Sequence, residues 1–123
     1  MNSEATAPLV VDTAIAVHRA LGPGLLESTY QKSFAHAYRK RGRFVETEVV
    51  LPIVYDGEYI ESGYRIDTRV DGCILVEHKA VEHVLPVHQA QLLTYLKLSG
   101  LHIGFLLNWN VKLLKDGIQR MVL

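Results

Sequence analysis

Asp67, Glu77 and Lys79 are two carboxylates and an amine spaced along what reads as one β-hairpin, Asp67-Thr-Arg-Val-Asp71-Gly72-Cys-Ile-Leu-Val-Glu77-His-Lys79. Side chains of a strand alternate faces, so a strand over 74–79 puts Glu77 and Lys79 on one side and Val76 and His78 on the other. Carboxylate oxygens suit Mg²⁺ or Mn²⁺, an ion held there polarises a phosphate and its attacking water, and an ammonium neutralises charge that develops in the transition state. That is the chemistry of phosphodiester hydrolysis. The same residue types also fit an ordinary surface hairpin with Glu and Lys on its wet side.

Whether Asp67 joins Glu77 is a matter of hairpin parity. The two share a face only if an odd number of residues closes the loop between their strands. Asp71-Gly72 suits a three-residue loop with a left-handed glycine, and it suits a two-residue turn as well. The two-residue turn would put Asp67 on the wrong face.

Further motifs follow one another along the chain. Gly24-Leu-Leu-Glu27-Ser-Thr-Tyr30 has the form GxxExxY, and Asp67 and Glu77-His-Lys79 come after it. Next are Lys79-Ala-Val-Glu82, Pro86-Val-His88, Ala90-Gln91-Leu-Leu-Thr-Tyr95-Leu-Lys97 and Leu114-Lys-Asp-Gly117-Ile118. Any one is a weak pattern; in this order, from Leu21 to Val122, they make the chain resemble the GxxExxY family of the PD-(D/E)xK nuclease superfamily. The resemblance implies an α/β, restriction-endonuclease-like fold, a mixed central sheet flanked by helices. It implies a Mg²⁺- or Mn²⁺-dependent nuclease acting on nucleic acid, with DNA ahead of RNA. Asp67, Glu77 and Glu27 would be metal ligands together with the backbone carbonyl of His78, and Lys79 would orient water or neutralise the transition state. Gln91 and Tyr95 resemble the Gln-x-x-x-Tyr element of RecB-like nucleases, which supports substrate or the catalytic residues.

Each of these residues also has a purely structural reading. Glu27 sits in a first helical turn, where the helix dipole favours an acid in any protein. Tyr30, one turn on, either orients Glu27 or packs in the core. Gln91 and Tyr95, four apart, share a helix face as any solvated pair would. His78 departs from the family pattern, in which that position is apolar, and its ring should point into the opposite core. His78, His83 and His88 recur every five residues, which matches neither one helix face nor a usual zinc spacing.

A length of 123 residues with 49% hydrophobic and 21% charged residues suits one globular domain over 1–123 and excludes a disordered chain. Zero net charge weighs against a protein that coats nucleic acid nonspecifically, and the basic cluster Arg39–Arg43 falls where a helix C-terminus favours cations. The single cysteine, Cys73, rules out an internal disulfide and suits a cytoplasmic setting. No signal peptide, membrane span, repeat or low-complexity tract is expected. Phosphate-binding loops and nucleophile elbows are missing from the sequence. Those features leave a second reading, a non-catalytic nucleic-acid- or protein-interaction module that retains the nuclease fold, although the whole expected residue set is present. A homodimer through an edge strand or the first helix is compatible with either.

The elements needed to position these residues follow from periodicity. Apolar positions from Leu9 to Leu21 predict a helix ended by Gly22, and those from Leu26 to Tyr38 predict a second ended at Arg41-Gly42. β-branched and aromatic residues predict a strand over 44–55, with Pro52 marking an edge or bulge, then an Asp56-Gly57 turn and a strand over 59–70. After the strand 74–79 come a helix 86–98 with Pro in its first turn, a doubly buried strand 101–109 and a closing strand 118–123.

Overall fold

The computed structural model describes residues 2–61 and 63–123; Met1 and Ser62, the latter inside the expected strand 59–70, lie outside the described residues. Helix α1 (Ser3–Leu21) starts well before the predicted Leu9, because Asn2 caps it by accepting the Glu4 and Ala5 N–H groups and the helix runs on through Pro8. Helix α2 (Glu27–Lys40) follows the Gly22–Leu26 turn.

Both long strands expected between 44 and 70 are divided. They become β1 (Val45–Val50), β2 (Ile53–Tyr55), β3 (Glu58–Ile60) and β4 (Arg65–Val70). The chain leaves β1 at Leu51-Pro52, where proline cannot donate to a ladder. β2 and β3 form a separate hairpin whose two-residue turn, Asp56-Gly57, has positive φ at both positions (52° and 77°), the geometry of a type I′ turn.

The rest follows the expected order: β5 (Ile74–Lys79), α3 (Pro86–Ser99), β6 (Ile103–Asn108), a single 3₁₀ turn (Leu114–Asp116) and β7 (Ile118–Val122). Among the described residues a five-stranded mixed sheet runs in the order β1-β4-β5-β6-β7, with β5 and β6 parallel and the other neighbours antiparallel. β1 is an edge, as Pro52 suggested, and β6 is buried along its whole length.

Two cores cover the sheet. On one side Val10, Ala14, Tyr30 and Phe34 of α1 and α2 pack on Val70, Ile74, Val76, Phe105 and Leu107. On the other, Leu92, Tyr95 and Leu96 of α3 pack on Ile66, Leu75 and Leu106. Paired positions Val45 and Val70 belong to the first core, whereas Val49 and Ile66, an even number of residues away on the same ladder, belong to the second. Strict alternation forbids that. The switch falls at Glu48 and Asp67, and Glu48 takes a left-handed φ of 53° to make it.

Candidate active site

Three residues, Asp71, Gly72 and Cys73, separate the paired positions Val70 and Ile74, so the hairpin closes with odd parity. Both turn readings contribute. Asp71 and Gly72 have positive φ (51° and 66°) and the Cys73 N–H donates to the Val70 carbonyl at 3.0 Å, which is a tight two-residue turn; Cys73 is then the extra residue. Asp71 is more than a turn former, since its buried carboxylate accepts from the Tyr38 hydroxyl (2.6 Å), Arg43 Nη2 (2.7 Å) and the Phe44 N–H (3.2 Å). Burial would raise its pKa, and these donors with the Arg43 charge overcome that and hold it low.

In the register so fixed, Asp67 stands opposite Glu77. The β4–β5 ladder stops one pair earlier, at Thr68 and Val76, and there side chains replace the backbone bonds. The Asp67 N–H donates to Glu77 Oε1 at 3.1 Å, and the His78 N–H donates to Asp67 Oδ2 at 2.9 Å. Each carboxylate is therefore held by the other strand's backbone, and the two face one another. Glu77 is 5% exposed. Burial first, and the charge of Asp67 second, push its pKa up to about 9; burial raises Asp67 as well, against the pull of the His78 N–H and Lys79. Two buried carboxyl groups in contact cannot both ionise cheaply, so one keeps its proton unless a cation takes its place.

Lys79 shares the Glu77 side of β5, and its ammonium lies close enough to draw down Asp67, Glu77 and Glu27. Glu27 arrives from the opposite layer. The N-terminus of α2 reaches the cleft round the end of β5, where the Glu27 carboxylate comes close enough to the Ala80 N–H to feel it. Burial raises its pKa, Asp67 adds to that, and Lys79 offsets part of it. Asp67 and Glu77 thus touch, while Glu27 stands near enough to feel the Asp67 charge. Among the described residues no three His, Cys, Asp or Glu side chains gather into one metal-ready group. The contacting pair nonetheless has the donor chemistry of a hard divalent cation, oxygen ligands carrying more charge than their surroundings tolerate.

The supporting residues separate into two kinds. Gln91 Nε2 donates to the Tyr95 hydroxyl at 2.8 Å, and Tyr95, nearly buried, feels the charges of Glu77 and Asp67, so this pair borders the cleft. Tyr30 packs. Its ring stacks on Trp109 (4.8 Å between centroids), its hydroxyl donates to the Gly22 carbonyl at 2.5 Å and accepts the Leu25 N–H at 3.2 Å. It fixes the turn that delivers Glu27, and no described contact joins it to that carboxylate.

The His78 ring is fully buried in the other core, as its place on the strand predicted. His88 caps α3 by accepting the Leu85 N–H at 3.1 Å, whereas His83 is solvent-exposed beside Glu82.

Sequence reading passed over two residues near this cleft. Glu48 lies close enough to raise the Asp67 pKa, and Gln31 Nε2 holds its Oε1 at 2.9 Å. Asn108 accepts the Val81 N–H at 3.1 Å and donates to the Val81 carbonyl at 2.9 Å, which clamps the segment that follows Lys79. Gly117 makes room for this: a Cβ there would lie 2.1 Å from the Asn108 carbonyl oxygen. The only signal for Asn108 was a lone amide closing an apolar run.

A family model described as the PD-(D/E)XK nuclease superfamily matches residues 4–121. No curated protein and no solved structure matches the chain.

Proposed function

The chain belongs to the PD-(D/E)XK nuclease superfamily, and from that premise we propose that it is a divalent-metal-dependent nuclease of the GxxExxY family, with DNA as its substrate class. Its mixed sheet flanked by helices is consistent with the restriction-endonuclease-like fold of that superfamily. One observation supports the activity above all: Asp67 and Glu77 face each other across the open end of the β4–β5 ladder, with Lys79 on the same side.

In this reading Asp67 and Glu77 hold Mg²⁺ or Mn²⁺, with Glu27 and the His78 carbonyl as further oxygen donors. The ion, when bound, supplies Lewis acidity and lowers the pKa of water for attack on phosphorus. Lys79 brings a positive charge to the phosphate oxygens as they gain charge, in a site where burial strengthens that interaction. Gln91 and Tyr95 keep one wall of the cleft polar and fixed. The Asn108 clamp holds the chain beyond Lys79, where the Ala80 N–H lies near Glu27. Residues 1–123 act as one domain in this scheme. Among the described residues no helix is long and apolar enough to cross a membrane, and a cytoplasmic setting is inferred from the single cysteine.

The deciding experiment incubates the protein with labelled single- and double-stranded DNA and RNA, with and without Mg²⁺ or Mn²⁺. Cleavage that needs the ion and is lost in Glu77→Ala is the expected result. Binding without any metal-dependent cleavage would replace this reading with that of an interaction module.

A further inference from the structure

A second feature lies at the C-terminal end of α1. The C-terminal turn of α1 and the segment 112–115 enclose a cavity of about 480 Å³, within the ~300–1,000 Å³ range of sites for small groups. Its polar wall is cationic, made by Arg19, Lys112 and Lys115, while Leu113 and Leu114 supply an apolar wall. No acidic side chain lines it; Asp116 follows Lys115 in sequence but does not take part.

These cations differ from several others in the chain. Arg43 pairs with Asp71, Arg69 with Glu46 and Arg120 with Glu4, and Arg39 and Arg41 donate to Val45 and Thr13. The side chains of Arg19, Lys112 and Lys115 make no hydrogen bond or ion pair among the described residues. Three exposed cations line one concavity, and an anion seated there would be drawn by all three. In a chain of zero net charge, that is a local excess of positive potential which the composition hides.

The cavity is also tied to the catalytic strand. The Trp109 N–H donates to the Lys79 carbonyl at 2.9 Å, and the Trp109 carbonyl bonds to Nε2 of buried His18, which lines the cavity, at 3.2 Å. Gly22, on the cavity wall, opens the turn that leads to Glu27. One short chain of hydrogen bonds therefore joins the cavity to the Lys79 backbone, and the turn after Gly22 leads from it to Glu27.

We propose that this cavity binds a backbone phosphate of the nucleic-acid strand next to the scissile bond, held by Arg19, Lys112 and Lys115. The assignment rests on the nuclease reading above. It gives the cleft a sequence-independent grip beside the cutting position, which the neutral surface as a whole lacks.

The test uses Arg19→Gln, Lys112→Gln and Lys115→Gln together, and Lys32→Gln with Lys40→Gln as a control at exposed cations elsewhere. Binding of a fluorescent oligonucleotide is measured across salt concentrations in the Lys79→Ala background, and cleavage kinetics in the otherwise wild-type chain. In the triple variant the log–log salt slope should fall by about 1 for each phosphate that the protein no longer neutralises, and KM should rise while kcat stays within about twofold. The control should match wild type. An unchanged slope and KM in a triple variant that still cuts, or an equal loss in the control, overturns the phosphate site and leaves the nuclease reading standing. A wild-type chain that neither cuts nor binds any oligonucleotide overturns both.

Discussion

The indole N–H of Trp109 donates to Nδ1 of His78 at 3.0 Å, and that one bond decides the state of the ring. With Nδ1 accepting, the proton of the neutral imidazole is on Nε2, which donates to Thr68 Oγ1 at 3.0 Å. Burial and, secondarily, the Lys79 charge push the His78 pKa down to about 3, so the ring stays neutral. A polar residue where the sequence resemblance implies an apolar one is thus satisfied behind the strand, away from Glu77.

His78→Leu, which puts an apolar side chain there, should leave the Trp109 N–H buried and unpaired. The expected cost is about 1–3 kcal/mol of stability, with little change in metal affinity or cleavage. Denaturant unfolding measures the first and activity assays the second. A variant as stable as wild type would show that Trp109 finds another partner.

How far such relationships could be read in advance depends on their range along the chain. Asp56-Gly57 and Asp71-Gly72 announced their turns because a positive φ is a local demand that few residues meet. Glu77 and Lys79 were placed on one side by alternation alone. The partner of Glu77 was not settled, since the parity of the hairpin hung on Cys73, an unremarkable residue that could have begun the strand. The core switch at Glu48 gave no sign, because a left-handed residue inside a strand violates the propensity that sequence reading relies on. Bonds such as Asn108 to Val81 and Trp109 to His78 span 27 and 31 residues, and no local pattern encodes them. Glu27 was legible only through the family motif; its reach to Ala80 depends on how α2 meets the end of β5.

The carboxylate pair sets how stability depends on pH in the metal-free protein. Glu77 has its pKa raised from 4.5 to about 9, so the folded chain holds a proton that the unfolded chain releases. Its contribution is complete below 4.5 and is lost as pH climbs towards 9, and Asp67 is shifted in the same direction. His78 acts oppositely, favouring the fold above 6.5 and losing that contribution as pH falls towards 3. In EDTA, melting temperature should therefore decline between pH 6 and pH 9, and Glu77→Gln should flatten the decline. Parallel curves for the two proteins would mean that Glu77 is not the group responsible.

A divalent cation should reverse that liability by replacing the shared proton. Mn²⁺ or Mg²⁺ at a hundredfold excess over its Kd stabilises a folded protein by about 2.7 kcal/mol when the unfolded chain does not bind it. The gain should grow from pH 6 to pH 8, since the ion competes with the proton on Glu77. Thermal melts of wild type, Asp67→Asn and Glu77→Gln with each ion provide the comparison. Equal shifts in all three would place the bound ion elsewhere.

Lys79 separates binding from chemistry most cleanly. It lies beside Asp67, Glu77 and Glu27, yet an ammonium is no metal ligand, so Lys79→Ala should keep the metal-induced shift in melting temperature. In the proposed mechanism its charge acts where the phosphate oxygens become more negative, so the loss should fall on kcat and kcat/KM alike. Removing one such stabilising group typically costs about a hundredfold to a thousandfold in rate. Glu77→Ala, by contrast, should lose the ion and the cleavage together. Should Lys79→Ala cut as fast as wild type, the ammonium would be a bystander of the carboxylate pair, and the cation that meets the reacting phosphate would have to be sought elsewhere in the cleft.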